Sequence, residues 1–302
     1  MTSAIMIERK VSIALKSRWD KVANTNNQVW LITGANKGLG VAIAKEALAK
    51  GYNVVATARN TAGMEDELGK SSNLLIATLD ITNNEQIKST LDTALEQFGR
   101  IDVLVNNAGY GQLGYFEEST EKQIREQMET NVFGTMRLTR ELLPIMRKQR
   151  SGSIITVSSV VGITATEGGS VYSSSKFALE GWMEGLNIEL KPFGIRCMLV
   201  EPGPFRTDFS NAKTSAKFSD LEIEDYNEQR EKMQNFYNSF HKNEPGNPER
   251  LAKALLSVLL DSNPPFRFIG GTGMVDFINQ YLQRRQTEYN NWREVSDKTN
   301  FE

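Results

Sequence analysis

Tyr172 and Lys176 stand four positions apart in Tyr-Ser-Ser-Ser-Lys. On a helix that spacing puts both on one face with Cβ atoms about 5–6 Å apart. A phenol ordinarily ionises near pH 10, and a nearby ammonium stabilises the phenolate, so such a tyrosine can give or take a proton closer to neutrality. With 8 tyrosines in the chain, the pair taken alone reads equally well as two residues on a helix surface. Ser159 adds to it. It follows the apolar run Ile154-Ile155-Thr156-Val157-Ser158, and ligands of open α/β sheets sit beyond the carboxyl ends of the strands. Its hydroxyl is thereby placed at the mouth of a cleft, where it can donate to a substrate oxygen.

A second chemical feature is Thr33-Gly34-Ala35-Asn36-Lys37-Gly38-Leu39-Gly40, between the β-branched run Val29–Thr33 and the helical start Val41-Ala42-Ile43-Ala44. A strand, a glycine turn and a helix N-terminus together present free backbone N–H groups and a positive dipole end to a pyrophosphate. A structural tight turn would also account for three glycines; the strand before and the helix after favour the phosphate site.

The elements that must position these residues follow from periodicity. Short apolar runs predict strands at Val29–Thr33, Asn53–Ala58, Leu74–Asp80, Val103–Asn106, Ser153–Ser158, Arg196–Val200 and Phe266–Ile269. Helical patterns fall near 39–50, 84–97, 120–148, 171–191, 220–240, 248–261 and 274–290. Gly51, Gly99 and Gly194 sit where left-handed C-caps favour glycine, and Pro144 is expected to kink or tighten the end of its helix. Strand and helix in alternation predict βαβ units and a parallel sheet with helices on both faces. Residues 1–28 are read as an N-terminal extension with a short basic amphipathic segment, a frayed end or a partner-docking helix in preference to a membrane attachment. Residues 29–302 are read as one domain, with an insertion at about 205–243.

Composition removes several classes of function. With 35 lysines and arginines against 37 acids, the net charge of −2 gives no field to draw nucleic acid or an anionic membrane. Cys197 is the only cysteine, which excludes an internal disulfide and any multi-cysteine metal site, and points to a reducing, cytoplasmic setting. The only histidine, His241, lies in a polar stretch and suits a solvated loop better than a catalytic triad. No apolar run is long enough to span a bilayer, so a soluble protein without metal is expected.

The glycine spacing, G-x-x-x-G-x-G, resembles the short-chain dehydrogenase/reductase family, whose single-domain members carry TGxxxGxG here. The resemblance covers residues 29–209. It implies a Rossmann-type, doubly wound, mainly parallel seven-stranded sheet and a nicotinamide dinucleotide held by Gly34, Asn36, Lys37, Gly38, Leu39 and Gly40. Asp80 and Ile81 match the family's adenine contact, and Asn107, Ala108 and Gly109 belong to its NNAG motif. Ser159 matches the family's catalytic serine and Tyr172 its general acid/base. Lys176 would tune Tyr172 and bind the nicotinamide ribose, and Asn131 would hold a water linking Lys176 to solvent. In Pro202-Gly203-Pro204-Phe205-Arg206-Thr207, which resembles PGxxxT, Thr207 would meet the carboxamide while the backbone around Pro202 and Gly203 fixes the ring face. An NAD-binding domain places an acid about twenty residues past the glycine turn. Here Arg59 follows the second strand instead, and with Lys37 it could neutralise a 2′-phosphate, so NADP is favoured over NAD.

The implied activity is carbonyl/alcohol interconversion by hydride transfer, from a homodimer or homotetramer. Phe205, Phe209, Phe218, Met233, Phe236, Tyr237 and Phe240 could line a pocket for a bulky apolar substrate, or be plain core. Glu201-Pro202-Gly203-Pro204 and the tail Trp292–Ser296 look like a bacterial group related in pattern to steroid and retinol dehydrogenases. Two other readings stay open: a non-catalytic NADP-sensing or docking protein on the same fold, which should lack Ser159, Tyr172 or Lys176, and a nucleotide-sugar epimerase, for which the C-terminal region is short.

Overall fold

Val-Trp-Leu-Ile-Thr forms β1 (Val29–Thr33), and all five residues are buried, as a strand covered on both faces requires. The computed structural model describes residues 27–210 and 216–301. From β1 the chain continues through α1 (Gly38–Ala49), β2 (Asn53–Ala58), α2 (Met64–Leu68), β3 (Leu74–Thr78), α3 (Asn84–Phe98) and β4 (Val103–Asn106). There follow β5 (Gly111–Leu113), α4 (Glu121–Met128), a π-helical turn (Glu129–Gly134), α5 (Thr135–Gln149), β6 (Gly152–Val157) and α6 (Ser170–Leu190). Beyond these lie β7 (Ile195–Pro202), β8 (Ala216–Phe218), α7 (Asn227–Phe240), α8 (Pro248–Leu259), β9 (Arg267–Gly270), α9 (Met274–Asn291) and α10 (Arg293–Ser296). The expected extension at 1–28 lies outside the described residues but for its last two.

Seven strands form one sheet in the order β3-β2-β1-β4-β6-β7-β9, and every pairing in it is parallel. The winding reverses between β1 and β4, so a crevice opens beyond their carboxyl ends. Alternation along β1 divides the core. Trp30 and Ile32 pack on the side of Ile43 and Leu255, while Val29 and Leu31 pack on the side of Leu138, Leu142 and Met183. Each fully buried leucine or isoleucine contributes about 1.5–3 kcal/mol.

Three expectations need correction. The helix over 120–148 is two helices joined by the π turn, the second of which carries Pro144 in its last turns. The strand expected to run to Asp80 ends at Thr78. The helix over 220–240 begins only at Asn227, because the preceding segment is drawn across Glu118: the Leu221 amide donates to its carbonyl, the Ile223 amide donates to its carboxylate (3.0 Å), and Arg230 pairs with the same carboxylate. That segment also supplies β8, which pairs in parallel with β5 as a second, two-stranded sheet.

Candidate active site

The turn after β1 can be made only by glycine at its tightest points. Gly34 and Gly38 hold φ of +64° and +56°, and a Cβ on Gly40 would lie 2.2 Å from the Gly34 carbonyl oxygen. The turn is stitched to the end of β4. Thr33 Oγ1 accepts from the amides of Asn107 and Ala108 (both 2.9 Å), and Asn107 Nδ2 donates to the carbonyls of Thr33 (2.9 Å) and Gly34 (3.1 Å). No side chain caps the N-terminus of α1 and no acid lies in its first turn, so its N–H groups face the crevice with their positive dipole end uncompensated. A cradle that a Cβ would fill, under an uncapped helix end, fits the pyrophosphate of a dinucleotide.

Several other residues expected at the dinucleotide lie around this cradle. Thr207 packs over Gly38, where an added Cβ would come within 3.2 Å of it. Lys37 is half-buried. Burial holds its ammonium below the usual lysine range, Asp208 opposes that, and Arg59 adds to it, so the two cations are near enough to feel each other. Asn36 is exposed and Leu39 half-buried on the same turn. Asp80 Oδ1 accepts from the amide (2.9 Å) and the hydroxyl (2.7 Å) of Thr82, fixing the turn after β3, and Ile81 is buried beneath Gly134. Arg59, Asp80, Thr82 and Tyr110 share the wall of one cleft of about 1090 Å³. Gly203 donates its amide to Gly270 at the far end of the crevice (2.9 Å), next to Pro202.

Ser159, Tyr172 and Lys176 converge at the carboxyl end of β6. Ser159 Oγ lies 3.4 Å from the Pro202 carbonyl and accepts from the Val161 amide (3.3 Å). Burial pushes the Tyr172 phenol well above its ordinary range; a hydrogen bond with Ser159 opposes the rise and Tyr237 adds to it. Lys176 Nζ donates to the Val157 carbonyl (2.8 Å) and sits 5.7 Å from the centre of the Tyr172 ring. Burial brings the Lys176 ammonium down to about 8, with Glu180 acting the other way. Asn131 is buried in the π turn, where its Nδ2 donates to the Tyr110 carbonyl (3.0 Å) and to Ser175 Oγ (3.2 Å), and its Oδ1 accepts from the Tyr110 amide (3.1 Å). Ser175 in turn donates to the Tyr172 carbonyl (2.7 Å), so Asn131 is tied to the same turn of α6. Gly109 leaves room for it: a Cβ there would be 3.0 Å from Asn131 Oδ1.

The aromatic residues of the insertion divide. The Phe209 ring lies 5.3 Å from that of Tyr172, and Tyr237 is close enough to act on the same phenol. Phe218 packs edge-on to Tyr237. Phe205 turns away, between Gly246 and Gly270, while Phe236 stacks on Phe240 with its own ring largely exposed. Cys197 is buried in β7 with its thiol pushed up to about 12, which is no nucleophile. His241 ends α7 as its C-cap, as a loop residue would. Among the described residues no cluster of three metal-ligating side chains occurs, and no helix is long and apolar enough to cross a membrane.

Three charged residues close to the site have no role assigned by the sequence: Glu180, Arg267 and Glu201, the last noted only as part of a motif. Glu180 continues the four-residue spacing of Tyr172 and Lys176, and Glu201 stands directly before Pro202. Those are the signals that could have found them.

Known proteins agree with this geometry. The family described as short chain dehydrogenase matches residues 28–217. A 3-ketodihydrosphingosine reductase of Bacteroides thetaiotaomicron is 35% identical, over 80% of this chain and 86% of its own. Retinol dehydrogenase 8 of Bos taurus is 33% identical, over 78% of this chain and 79% of its own. The crystal structure of a short-chain dehydrogenase from Streptomyces avermitilis superposes with a TM-score of 0.83 at 41% identity, covering 91% of this chain and 100% of that one. The chain belongs to the short-chain dehydrogenase/reductase family, oxidoreductases that act on a CH–OH group with a nicotinamide dinucleotide.

Proposed function

We propose that this chain is an NADP-dependent oxidoreductase that interconverts a bulky apolar carbonyl compound and its alcohol, with Tyr172 as general acid/base. The observation that carries the reading is the convergence of Ser159, Tyr172 and the buried Lys176 beside Phe209 at the carboxyl end of β6. Nicotinamide supplies or takes the hydride when bound. The hydroxyl of Ser159 holds the substrate oxygen, and the Tyr172 phenol gives that oxygen its proton in reduction and takes it back in oxidation. Burial keeps the phenol protonated at neutral pH, which suits the reductive direction. Lys176, anchored on the Val157 carbonyl, places positive charge beside the Tyr172 ring and would bind the nicotinamide ribose. Asn131 fixes the backbone of Tyr110 and, through Ser175, the turn of α6 that carries Tyr172.

Gly34, Asn36, Gly38, Leu39 and Gly40 would hold the pyrophosphate, Asp80 and Ile81 the adenine, and Asn107, Ala108 and Gly109 the adjoining ribose side. Pro202, Gly203 and Thr207 would bound the nicotinamide. Lys37 and Arg59, neighbours in charge, favour a 2′-phosphate, and no acid ends β2. Retinol and ketodihydrosphingosine, for which two relatives are named, are both lipids, and Phe209 and Tyr237 beside Tyr172 suit such a substrate. We place the enzyme in the cytoplasm as a homodimer or homotetramer, which light scattering on the full chain reads directly.

The test is NADPH and NADH oxidation with a panel of ketones, aldehydes and quinones that includes all-trans-retinal and a long-chain 3-ketone. Turnover is expected with NADPH and an apolar member of the panel. Tyr172→Phe is expected to lower kcat by about 10²–10⁴ and to leave NADPH affinity unchanged. Tight NADPH binding with no turnover across the panel would favour the sensing protein, and full turnover by Tyr172→Phe would remove its assigned role.

A further inference from the structure

One turn beyond Lys176 the same helix carries Glu180, and its carboxyl is buried. Facing it from β7 is Glu201, wholly buried. Both reach the same nitrogen of one side chain: Arg267 Nε on β9 lies 3.4 Å from Glu180 Oε2 and 3.1 Å from Glu201 Oε1. Other polar groups complete the surroundings. Just past the end of β6 the Ser158 hydroxyl lies near Glu180; from α6 itself Glu184 takes the outer edge of Arg267 at 2.6 Å, and Lys176 lies within the field of Glu180. Gly162 leaves the space in which this packing is possible, since a Cβ there would meet Ser158 Oγ at 2.6 Å and Glu180 Oε1 at 3.3 Å.

Two carboxyls set against each other in a buried place, with one guanidinium between them, cannot both be ionised without leaving an uncompensated charge. All four carboxyl oxygens are buried with no hydrogen-bond donor in good geometry among the described residues, and the cation that reaches both carboxyls is Arg267, through Nε. Carboxylates only accept, so two of them converging on one guanidinium nitrogen can bond to each other only when one carries a proton. We propose that Glu180 and Glu201 form a proton-sharing carboxyl pair, clamped by Arg267, whose charge state holds Lys176 as the ammonium. Glu180 and Glu201 are thus positioning residues, acting on the reaction through Lys176.

The direction of the coupling follows from the charges. With one proton shared, the pair and Arg267 sum to zero. As pH rises the pair releases that proton to solvent and gains a full negative charge one helical turn from Lys176, which then keeps its own proton to higher pH. Burial and the neighbouring Glu180 raise Glu201 while burial lowers Lys176, so the two proton losses move toward each other and compete.

The proposal rests on the reading of Lys176 as the residue that tunes Tyr172, and its test is read at Lys176 itself without turnover. The full chain is labelled with 13Cε-lysine, the Lys176 resonance is assigned by its absence in Lys176→Arg, and its titration is followed by NMR. The wild-type curve should be shallower than a single-site titration. Glu180→Gln removes the charge nearest Lys176, and the midpoint should fall by about one pH unit. Glu201→Gln removes the competitor for the proton and leaves Glu180 fully ionised, so the midpoint should rise. Glu184→Gln, on the exposed edge, should leave it in place. A fold-only role for the cluster would not move Lys176 in opposite directions. A single-site wild-type curve, an unmoved midpoint in Glu180→Gln, or shifts of one sign in both buried variants each overturn the proposal. Should Glu180→Gln fail to fold, the wild-type curve and Glu201→Gln still decide. Turnover retained by Tyr172→Phe would sink the proposed function and leave these titrations unaffected.

Discussion

Replacing Lys176 by methionine should abolish activity and yet stabilise the fold at neutral pH. Burial lowers the lysine from its ordinary 10.5 to about 8. A depression of about 2.5 pH units, at 1.36 kcal/mol each, is a cost of about 3 kcal/mol for carrying the ammonium in the folded chain. The donor bond to the Val157 carbonyl is lost with it, an interaction of about 1.5–3 kcal/mol for a charged donor. The methionine stem keeps the packing of the lysine stem, so the net gain is about 1–2 kcal/mol at pH 7, or about 1.5–3 °C in Tm for a chain of this size. Below pH 8 lysine is charged in both folded and unfolded chains and the cost is felt in full. Between pH 8 and 10.5 the unfolded chain holds the proton more tightly, so wild-type stability rises with pH. Above 10.5 the cost is gone, and the variant should then be the less stable of the two. Scanning calorimetry at pH 7, 9 and 10.5 reads the crossing. A variant less stable at pH 7, or a difference that stays constant over this range, would refute the reasoning.

Other consequences are more local. Arg59→Ala should raise the KM for NADPH by about 10–100-fold, the worth of one charge-assisted hydrogen bond, and leave the KM for NADH alone; equal effects on both would refute a 2′-phosphate contact. Gly40→Ala drives a Cβ to 2.2 Å from the Gly34 carbonyl and 2.6 Å from Asn107 Nδ2. It should cost on the order of 1–3 kcal/mol and, by fluorescence titration, lose dinucleotide binding. Asp102 is wholly buried at the start of β4, where it accepts from the Val29 amide (3.0 Å) and pairs with Arg100 (2.6 Å). Asp102→Ala strands the first amide of β1 and should cost about 1–3 kcal/mol in urea unfolding with cofactor chemistry intact.

What could be read in the sequence was whatever is local. β1, β2 and β4 run where contiguous apolar residues place them, and the glycine turn follows because only glycine makes it. Asn131, Ser159, Tyr172 and Lys176 were visible as types and spacings, whereas Tyr110 and Ser175, which hold Asn131, were not. The short pair β5 and β8 was not, because Gly-Gln-Leu and Ala-Lys-Phe are too brief to carry a period and exist only by pairing with each other. The π turn was hidden for a different reason. It is a change of backbone hydrogen-bond register, whose outward sign is Asn131 turned inward onto Tyr110 and Ser175. Glu180 looked like any polar residue of an amphipathic helix, and its burial depends on Arg267, which the chain reaches only in its last strand.

Tyr172, Lys176, Glu180 and Glu184 fall at steps of four along α6, and each step advances about 40° around a helix of 3.6 residues per turn. A stripe of that kind cannot stay over one neighbour. It starts at the ligand crevice with Tyr172, passes under the end of β6 with Lys176, turns toward β7 and β9 with Glu180, and reaches solvent with Glu184. Arg267, at the start of edge strand β9, therefore acts on Lys176 electrostatically through Glu180, while the strand's other end, Gly270, holds the Gly203 amide. Arg267 is the counter-charge that lets Glu180 and Glu201 be buried at all, and it stands at the half-exposed rim where a change in charge is easily made. Arg267→Leu should then act at two places at once: it leaves two buried carboxyls to hold protons by themselves, and it shifts the titration of Lys176 at the far end of the stripe. A sheet edge that served only to finish the fold would lose stability on that substitution and leave the lysine where it was.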